Sequence, residues 1–247
     1  MTALSAVETV GVLGDRADAL SDLVREHACS ARTGSAAFDA DVVVADGGDA
    51  LYDFVRADTD APLLTVGTPD GIPAVPWDRR ERAFERVLDG DADTHDQPLL
   101  SVAVGDDTYR ALADVTLVTT KPARISEYGI RATIRGEETQ VDEVRADGLV
   151  VAAPAGTPGY ASAADGPLVA PGVDAVSVVP IAPFRVERSN WVLPLPTTLT
   201  VEREEAEVSL LVDDAETCVV PYDEPVQIAR DDTLSILTTP ETTYRFV

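Results

Sequence analysis

Two stretches hold residues that could do chemistry. The first is Asp41-Val42-Val43-Val44-Ala45-Asp46-Gly47-Gly48-Asp49-Ala50, a β-branched apolar run closed by two glycines and an acid, with Leu51, Phe54 and Val55 following at helical spacing. The pattern predicts a buried strand, a tight turn and a helix start, with Asp49 at the mouth of a sheet. Backbone N–H groups of a Gly-Gly turn feeding a helix N-terminus can cradle phosphate, because only backbone stands between the ligand and the unpaired donors. Asp49 is then either a base beside that phosphate or the cap of the helix, aspartate being a preferred N-cap. The second stretch runs from Asp147-Gly148 through Leu149-Val150-Val151-Ala152-Ala153-Pro154-Ala155-Gly156-Thr157-Pro158-Gly159 to Tyr160. A strand entering a loop of small residues with one tyrosine leaves room for a planar ligand against backbone. The same residues also suit a tight connection with Tyr160 in the core.

Other chemistries find little material. His27 and His95 are the only histidines and lie far apart, which leaves a structural zinc site or a Ser-His-Asp triad unsupported. Cys29 and Cys218 belong to no CxxC pair and are expected as core thiols in a reducing cytoplasm. Neither G-x-x-x-x-G-K-[ST] nor G-x-G-x-x-G occurs.

The elements that must position these residues change character along the chain. Val7 to Leu13 reads as a strand closed by Gly14-Asp15, with Asp15 available to cap a helix carrying Leu20, Leu23 and Val24. After the central strand and helix, Pro62 to Gly67 reads as a third strand, and Asp78 to Leu88 as a helix with Gly90 past its end. Strands alternating with helices imply a parallel sheet. After the polar segment Asp91 to Asp96 the character changes. Beyond it come short strands separated by Gly, Pro and Asp turns: Ser101 to Val104, Tyr109 to Thr119, a pair flanking Gly136-Glu137, Val176 to Ile181, Leu199 to Val201, Val208 to Val212 and Val226 to Ile228. The expected architecture is an α/β domain over 1–97 and an all-β sandwich-like domain over 98–247, its last segment able to pack back on the first.

Composition narrows the partners. At 247 residues the chain can bury a substantial core, and its formal charge of −25 with a pI near 4.2 excludes a generally basic nucleic-acid surface and argues against an anionic membrane. Lys121 is the only lysine among 19 basic residues. Such an acid excess, spread along the whole chain, fits a halophilic protein, whose self-repulsion is screened at molar salt where the Debye length is about 3 Å. The N-terminus lacks the basic and apolar segments of a signal peptide, and no run of apolar residues is long enough to span a bilayer, so the chain is expected to be soluble and cytoplasmic.

Taken together, the order and spacing of these elements resemble the NAD kinase family over nearly the whole chain. That family is similar in carrying a Gly-Gly-Asp-Gly turn after an apolar strand, then an Asn-Glu or Asn-Asp pair, then a strand and loop of the form Asp-Gly…Thr-Pro-Thr-Gly-Ser-Thr-Ala-Tyr…Gly-Gly-Pro. Here the turn is Gly47-Gly48-Asp49-Ala50, the pair is Ala113-Asp114, and the loop is Asp147-Gly148…Ala153-Pro154-Ala155-Gly156-Thr157-Pro158-Gly159-Tyr160…Asp165-Gly166-Pro167. Pro180-Ile181-Ala182-Pro183…Val192-Leu193-Pro194 matches with lower specificity. The resemblance implies transfer of a phosphoryl group to the 2′-hydroxyl of the adenosine ribose of NAD, giving NADP. It also implies Asp49 as the base, Gly47 and Gly48 approaching phosphate through backbone, and Asp114, Asp147, Thr157 and Tyr160 at the dinucleotide. ATP or polyphosphate would be the donor, a divalent metal such as Mg would arrive on the nucleotide and not on a protein site, and the protein would be a homo-oligomer.

The departures from that pattern are specific. Ala50 stands where the family has glycine, so a positive φ there would cost about 1 kcal/mol or more. Ala113 replaces an asparagine, and Ala155, Pro158 and Ala163 replace hydroxyl residues; each lost neutral hydrogen bond is worth about 0.5 to 1.5 kcal/mol. Pro69 stands where an asparagine is usual. The alternative function is therefore an inactive relative that binds a nucleotide or a partner. A lipid kinase with the same glycine-rich turn would account for the first half but not for Asp147 to Tyr160.

Overall fold

The computed structural model describes residues 7–121, 125–184, 189–203 and 206–246. The chain divides into two compact units, 1–97 with 233–247, and 98–232.

In the first unit, β1 (Thr9–Gly14), β2 (Ser30–Arg32), β3 (Val42–Asp46) and β4 (Leu63–Val66) form a parallel sheet in the order β2-β1-β3-β4. Every residue of β3 and β4 is buried, which is why their sequences show no polar alternation: a parallel sheet is covered on both faces. Helices α1 (Ala17–Glu26), α2 (Gly48–Arg56) and α3 (Arg80–Leu88) bury Leu20, Leu23 and Val24; Ala50, Leu51, Phe54 and Val55; and Ala83, Phe84 and Val87. Each set repeats at three and four residues and forms one apolar stripe. Asp15 does not cap α1: the N-cap is Arg16, whose backbone N–H donates to the carboxylate of Asp46 at 3.3 Å.

The second unit is built from β5 (Asp93–Val104), β6 (Asp107–Ala111), β7 (Asp114–Thr119), β8 (Ser126–Ile134), β9 (Glu137–Ala146), β10 (Gly148–Ala152), β11 (Val176–Ile181), β12 (Trp191–Leu193), β13 (Thr197–Val201), β14 (Val208–Val212), β15 (Ala215–Val220) and β16 (Val226–Thr238). Strands β5 and β16 both run through the unit boundaries. One layer is the antiparallel sheet β12-β11-β10-β7-β14-β15. The other contains β8, β9, β13 and the first residues of β16. Between them Leu117, Leu149, Val151, Val178 and Leu210 meet Tyr128, Ile130, Leu199, Val226 and Ile228, all buried. Burying each such side chain stabilises by roughly 1.5 to 3 kcal/mol. The two layers confirm the α/β plus β-sandwich expectation.

The polar segment Asp91 to Asp96 holds the start of β5, at Asp93. One further local expectation is corrected. The run Tyr109 to Thr119 is not one strand: it breaks at Leu112-Ala113 into β6, which pairs with β5, and β7, which lies between β10 and β14. Among the described residues no helix is long and apolar enough to cross a membrane.

Candidate functional site

In the first unit the chain runs from β1 to β2 on one side, then returns to β3 on the other, so the topological switch falls between β1 and β3. Crevices outside the carboxyl ends of such strands are where open α/β sheets bind ligands. The Gly47-Gly48-Asp49 turn sits at that edge. Gly47 is the N-cap of α2 with φ 92°, a left-handed conformation that a side chain would oppose, and its N–H bonds the Val66 carbonyl at 2.9 Å. No side chain caps α2, which leaves the donors of its first turn to a ligand or to water. Asp49 is therefore not the cap. It is exposed in the first turn and makes no hydrogen bond or ion pair among the described residues. Ala50 is an ordinary helical residue, 4% exposed in the core, so the strain expected at that position is absent.

Across the switch, Arg16 clasps the carboxylate of Asp46, the residue before Gly47. Its Nε donates to Oδ2 at 2.8 Å and its Nη2 to Oδ1. The Asp46 side chain is 2% exposed and that of Arg16 is 44% exposed, so the pair closes the buried end of β3 and keeps a cationic rim. The Asp46 contact, chiefly the hydrogen bond, raises the Arg16 pKa above its ordinary value. Trp77 lies under two guanidinium groups, 3.6 Å from Arg16 and 4.1 Å from Arg80. Sequence reasoning missed this clasp; the only signal was an arginine just after the first strand.

In the second unit the structure brings together two segments that were read separately. The Ala113 carbonyl accepts the Ala153 N–H at 2.9 Å, and Asp114 pairs with Ala152 across β7 and β10. Gly156 lies so close that a Cβ would collide with the Ala113 carbonyl oxygen. The chain after β10 then folds back over that sheet's second face, where Ala161 packs on Val150, Ala152 and Val179. Thr157 is wholly buried and braces this loop: its hydroxyl donates to the Pro154 carbonyl at 3.0 Å and accepts the Val169 N–H at 3.2 Å. Tyr160 is not a core aromatic, since it is 41% exposed.

Asp114 is 7% exposed and its pKa is pushed up to about 7, first by burial, then by the carboxylates of Asp213 and Asp214. The Thr116 hydroxyl, donating at 3.3 Å, opposes that shift. Asp147 stands at the other end of β10, roughly 15 Å along the strand from Ala152. Its N–H donates to the Ile181 carbonyl, its carbonyl accepts from Thr119 and from the Tyr128 hydroxyl, and among the described residues its carboxylate has no hydrogen bond or ion pair. The fully buried Tyr128 has its pKa raised by desolvation.

The cysteines and His27 lie apart from these segments. Cys29 and Cys218 are unbridged and only half-buried, less enclosed than core thiols. His27 bonds the Leu23 carbonyl and meets Phe84 edge-on. Among the described residues no three His, Cys, Asp or Glu side chains converge on a metal position.

Residues 112–240 match the family model for the ATP-NAD kinase C-terminal domain. The NAD kinase of Methanothermobacter thermautotrophicus is 32% identical over 169 residues, 66% of this chain and 58% of that protein. The NAD kinase of Thermococcus sibiricus is 32% identical over 181 residues, 71% and 64% of the two chains. The alignments thus span about 60% of the length of these curated relatives. Among solved structures, the fold resembles an NAD kinase from Archaeoglobus fulgidus in complex with ATP, with a TM-score of 0.77, 20% identity and 94% of each chain covered. It also resembles yeast NADH kinase complexed with NADH, with a TM-score of 0.78, 16% identity, and 96% of this chain and 85% of that one covered. With the family model covering more than half of the chain, and the paired segments of the second unit lying within the match, the protein belongs to the NAD kinase family.

Proposed function

We propose that this protein is a phosphotransferase that phosphorylates the adenosine ribose 2′-hydroxyl of NAD to give NADP. The observation that carries the reading is the Gly47-Gly48-Asp49 turn: an uncapped helix start at the switch point with an exposed carboxylate beside it that has no partner among the described residues. A cap or a structural ion pair would occupy that carboxylate. A group receiving a proton from an attacking hydroxyl needs it vacant, while backbone donors hold phosphate oxygens.

In this reading Asp49 is the base, and Gly47 and Gly48 present backbone to the phosphates. Asp114 and Tyr160 meet the dinucleotide at one end of β10, and Asp147 lies at the other, a separation an extended dinucleotide can span. Thr157 serves by holding the loop. ATP is the favoured donor, since a structural relative holds it, with polyphosphate as the other candidate. A divalent ion such as Mg arriving on the donor neutralises phosphate charge. We further read the protein as a cytoplasmic, salt-adapted homo-oligomer.

The test is NADP formation from NAD with ATP or polyphosphate and Mg in molar KCl. Turnover supports the assignment. NAD binding without turnover under every donor would reverse it in favour of a binding protein.

A further inference from the structure

Asp213 is a buried carboxylate with no part in the roles assigned above. It lies in the two-residue turn between β14 and β15, where Asp213 and Asp214 have φ of 48° and 67°, the hand that suits a tight hairpin. Asp213 is 4% exposed, and its carboxylate accepts the N–H groups of Leu112 at 2.7 Å, Ala113 at 2.7 Å and Asp114 at 3.1 Å. Its own N–H donates to the Asp114 carbonyl at 3.0 Å. Four bonds therefore tie this turn to the three residues where β6 hands over to β7.

An ionised carboxylate is costly to bury, and three backbone donors are what make its burial tolerable. The chain could have ended β6 with a solvated turn. Instead it spends a buried charge on the segment that carries Asp114. We propose that Asp213 is a positioning residue of the dinucleotide site, fixing through the Leu112–Asp114 backbone where the Asp114 carboxyl meets the ligand. The proposal rests on reading the second unit as an NAD site. Ala113 enters this frame through its backbone, its N–H held by Asp213 and its carbonyl by Ala153.

The charges facing Asp114 are Asp213 and Asp214 from the β14–β15 turn; Thr116 faces it from its own strand, and the paired residue on β10 is Ala152. Removing the Asp213 charge therefore eases ionisation of Asp114, so the pH midpoint of binding reads the charge, while the affinity of a charge-preserving variant reads the positioning.

The experiment is calorimetric titration of NAD in molar KCl from about pH 5 to about pH 9, on the parent, Asp213→Asn, Asp213→Glu and Asp214→Asn. Asp213→Asn should weaken NAD about tenfold or more and move the pH midpoint of binding down. Asp213→Glu keeps the charge but displaces the backbone, so affinity should fall with the midpoint in place. Asp214→Asn should move the midpoint alone. In turnover, the KM for NAD should rise in Asp213→Glu while that for the phosphoryl donor stays. Parent-like NAD affinity in the Asp213 variants would overturn the proposal while leaving the NAD site intact. A parent that binds neither NAD nor NADP would overturn the underlying reading and this proposal with it.

Discussion

Replacing Asp114 by asparagine tests the electrostatics of the second unit directly. The side chain is almost fully buried, faces two carboxylates, and receives a single hydroxyl bond, from Thr116 at 3.3 Å. Its pKa of about 7 in the fold compares with 3.8 for an ordinary aspartate, so the folded protein keeps a proton that the unfolded chain releases between those values. More protons bound in the folded state means that stability falls as pH rises through this window. Above pH 7 the whole cost of burying the charge is felt, and below about pH 4 none of it. Three pKa units correspond to a ceiling of about 4 kcal/mol, which relaxation and molar salt reduce to roughly 2. Asparagine keeps the shape and the oxygen that Thr116 meets, and turns repulsion from Asp213 into attraction. The variant should melt roughly 4 to 8 °C above the parent at pH 8, with the difference vanishing near pH 4. Calorimetry at fixed KCl measures this, and comparing the two proteins at each pH cancels the titration of the carboxylates that are not coupled to Asp114. A pH-independent difference, or a less stable variant at pH 8, would refute the reasoning.

Three further outcomes follow from the first unit and from the charge. Asp49→Asn should abolish most NADP formation and leave the melting temperature within about 1 °C of the parent, because the residue is exposed and caps nothing; steady-state kinetics beside a melt checks both. Ala50→Gly, a reversion toward the family pattern, should destabilise by about 1 kcal/mol without raising turnover, since Ala50 is a buried helical residue; denaturant titration decides it. The melting midpoint of the parent should rise steadily from tens of millimolar to molar KCl, as expected for a chain of charge −25, and a flat response would remove the salt-adapted reading.

What could be read from the sequence was local. Val42 to Ala45 reads as a buried strand because every side chain is apolar and β-branched or small, and the stripe of Leu51, Phe54 and Val55 fixes the face that α2 buries. Asp93 to Asp96 give no strand signal because an exposed strand carries no apolar alternation: those four residues face solvent yet belong to β5. Tyr109 to Thr119 misled because Tyr109 and Val115 to Thr119 favour strand on either side, with no Gly or Pro between them, while the break at Leu112-Ala113 is held by a carboxylate about a hundred positions later.

The same distance in sequence separates what could be read of the site from what could not. Gly47-Gly48-Asp49 is contiguous, so its chemistry can be written down from residue types, and what the fold adds is that Asp49 is not the cap. The assembly around Asp114 is not contiguous. It joins a strand start, a loop some forty residues on and a hairpin turn some sixty residues beyond that, through backbone groups that any sequence supplies. Hydrogen bonds to backbone leave no residue-type signature at the receiving end, which is why Ala113 looked like a lost contact. In the fold its N–H and C=O are both engaged, by Asp213 and by Ala153. Erosion of side-chain motifs in this chain therefore overstates the erosion of the site: what the substitutions removed at position 113 is one amide, while the backbone frame that places Asp114 is held by two independent partners.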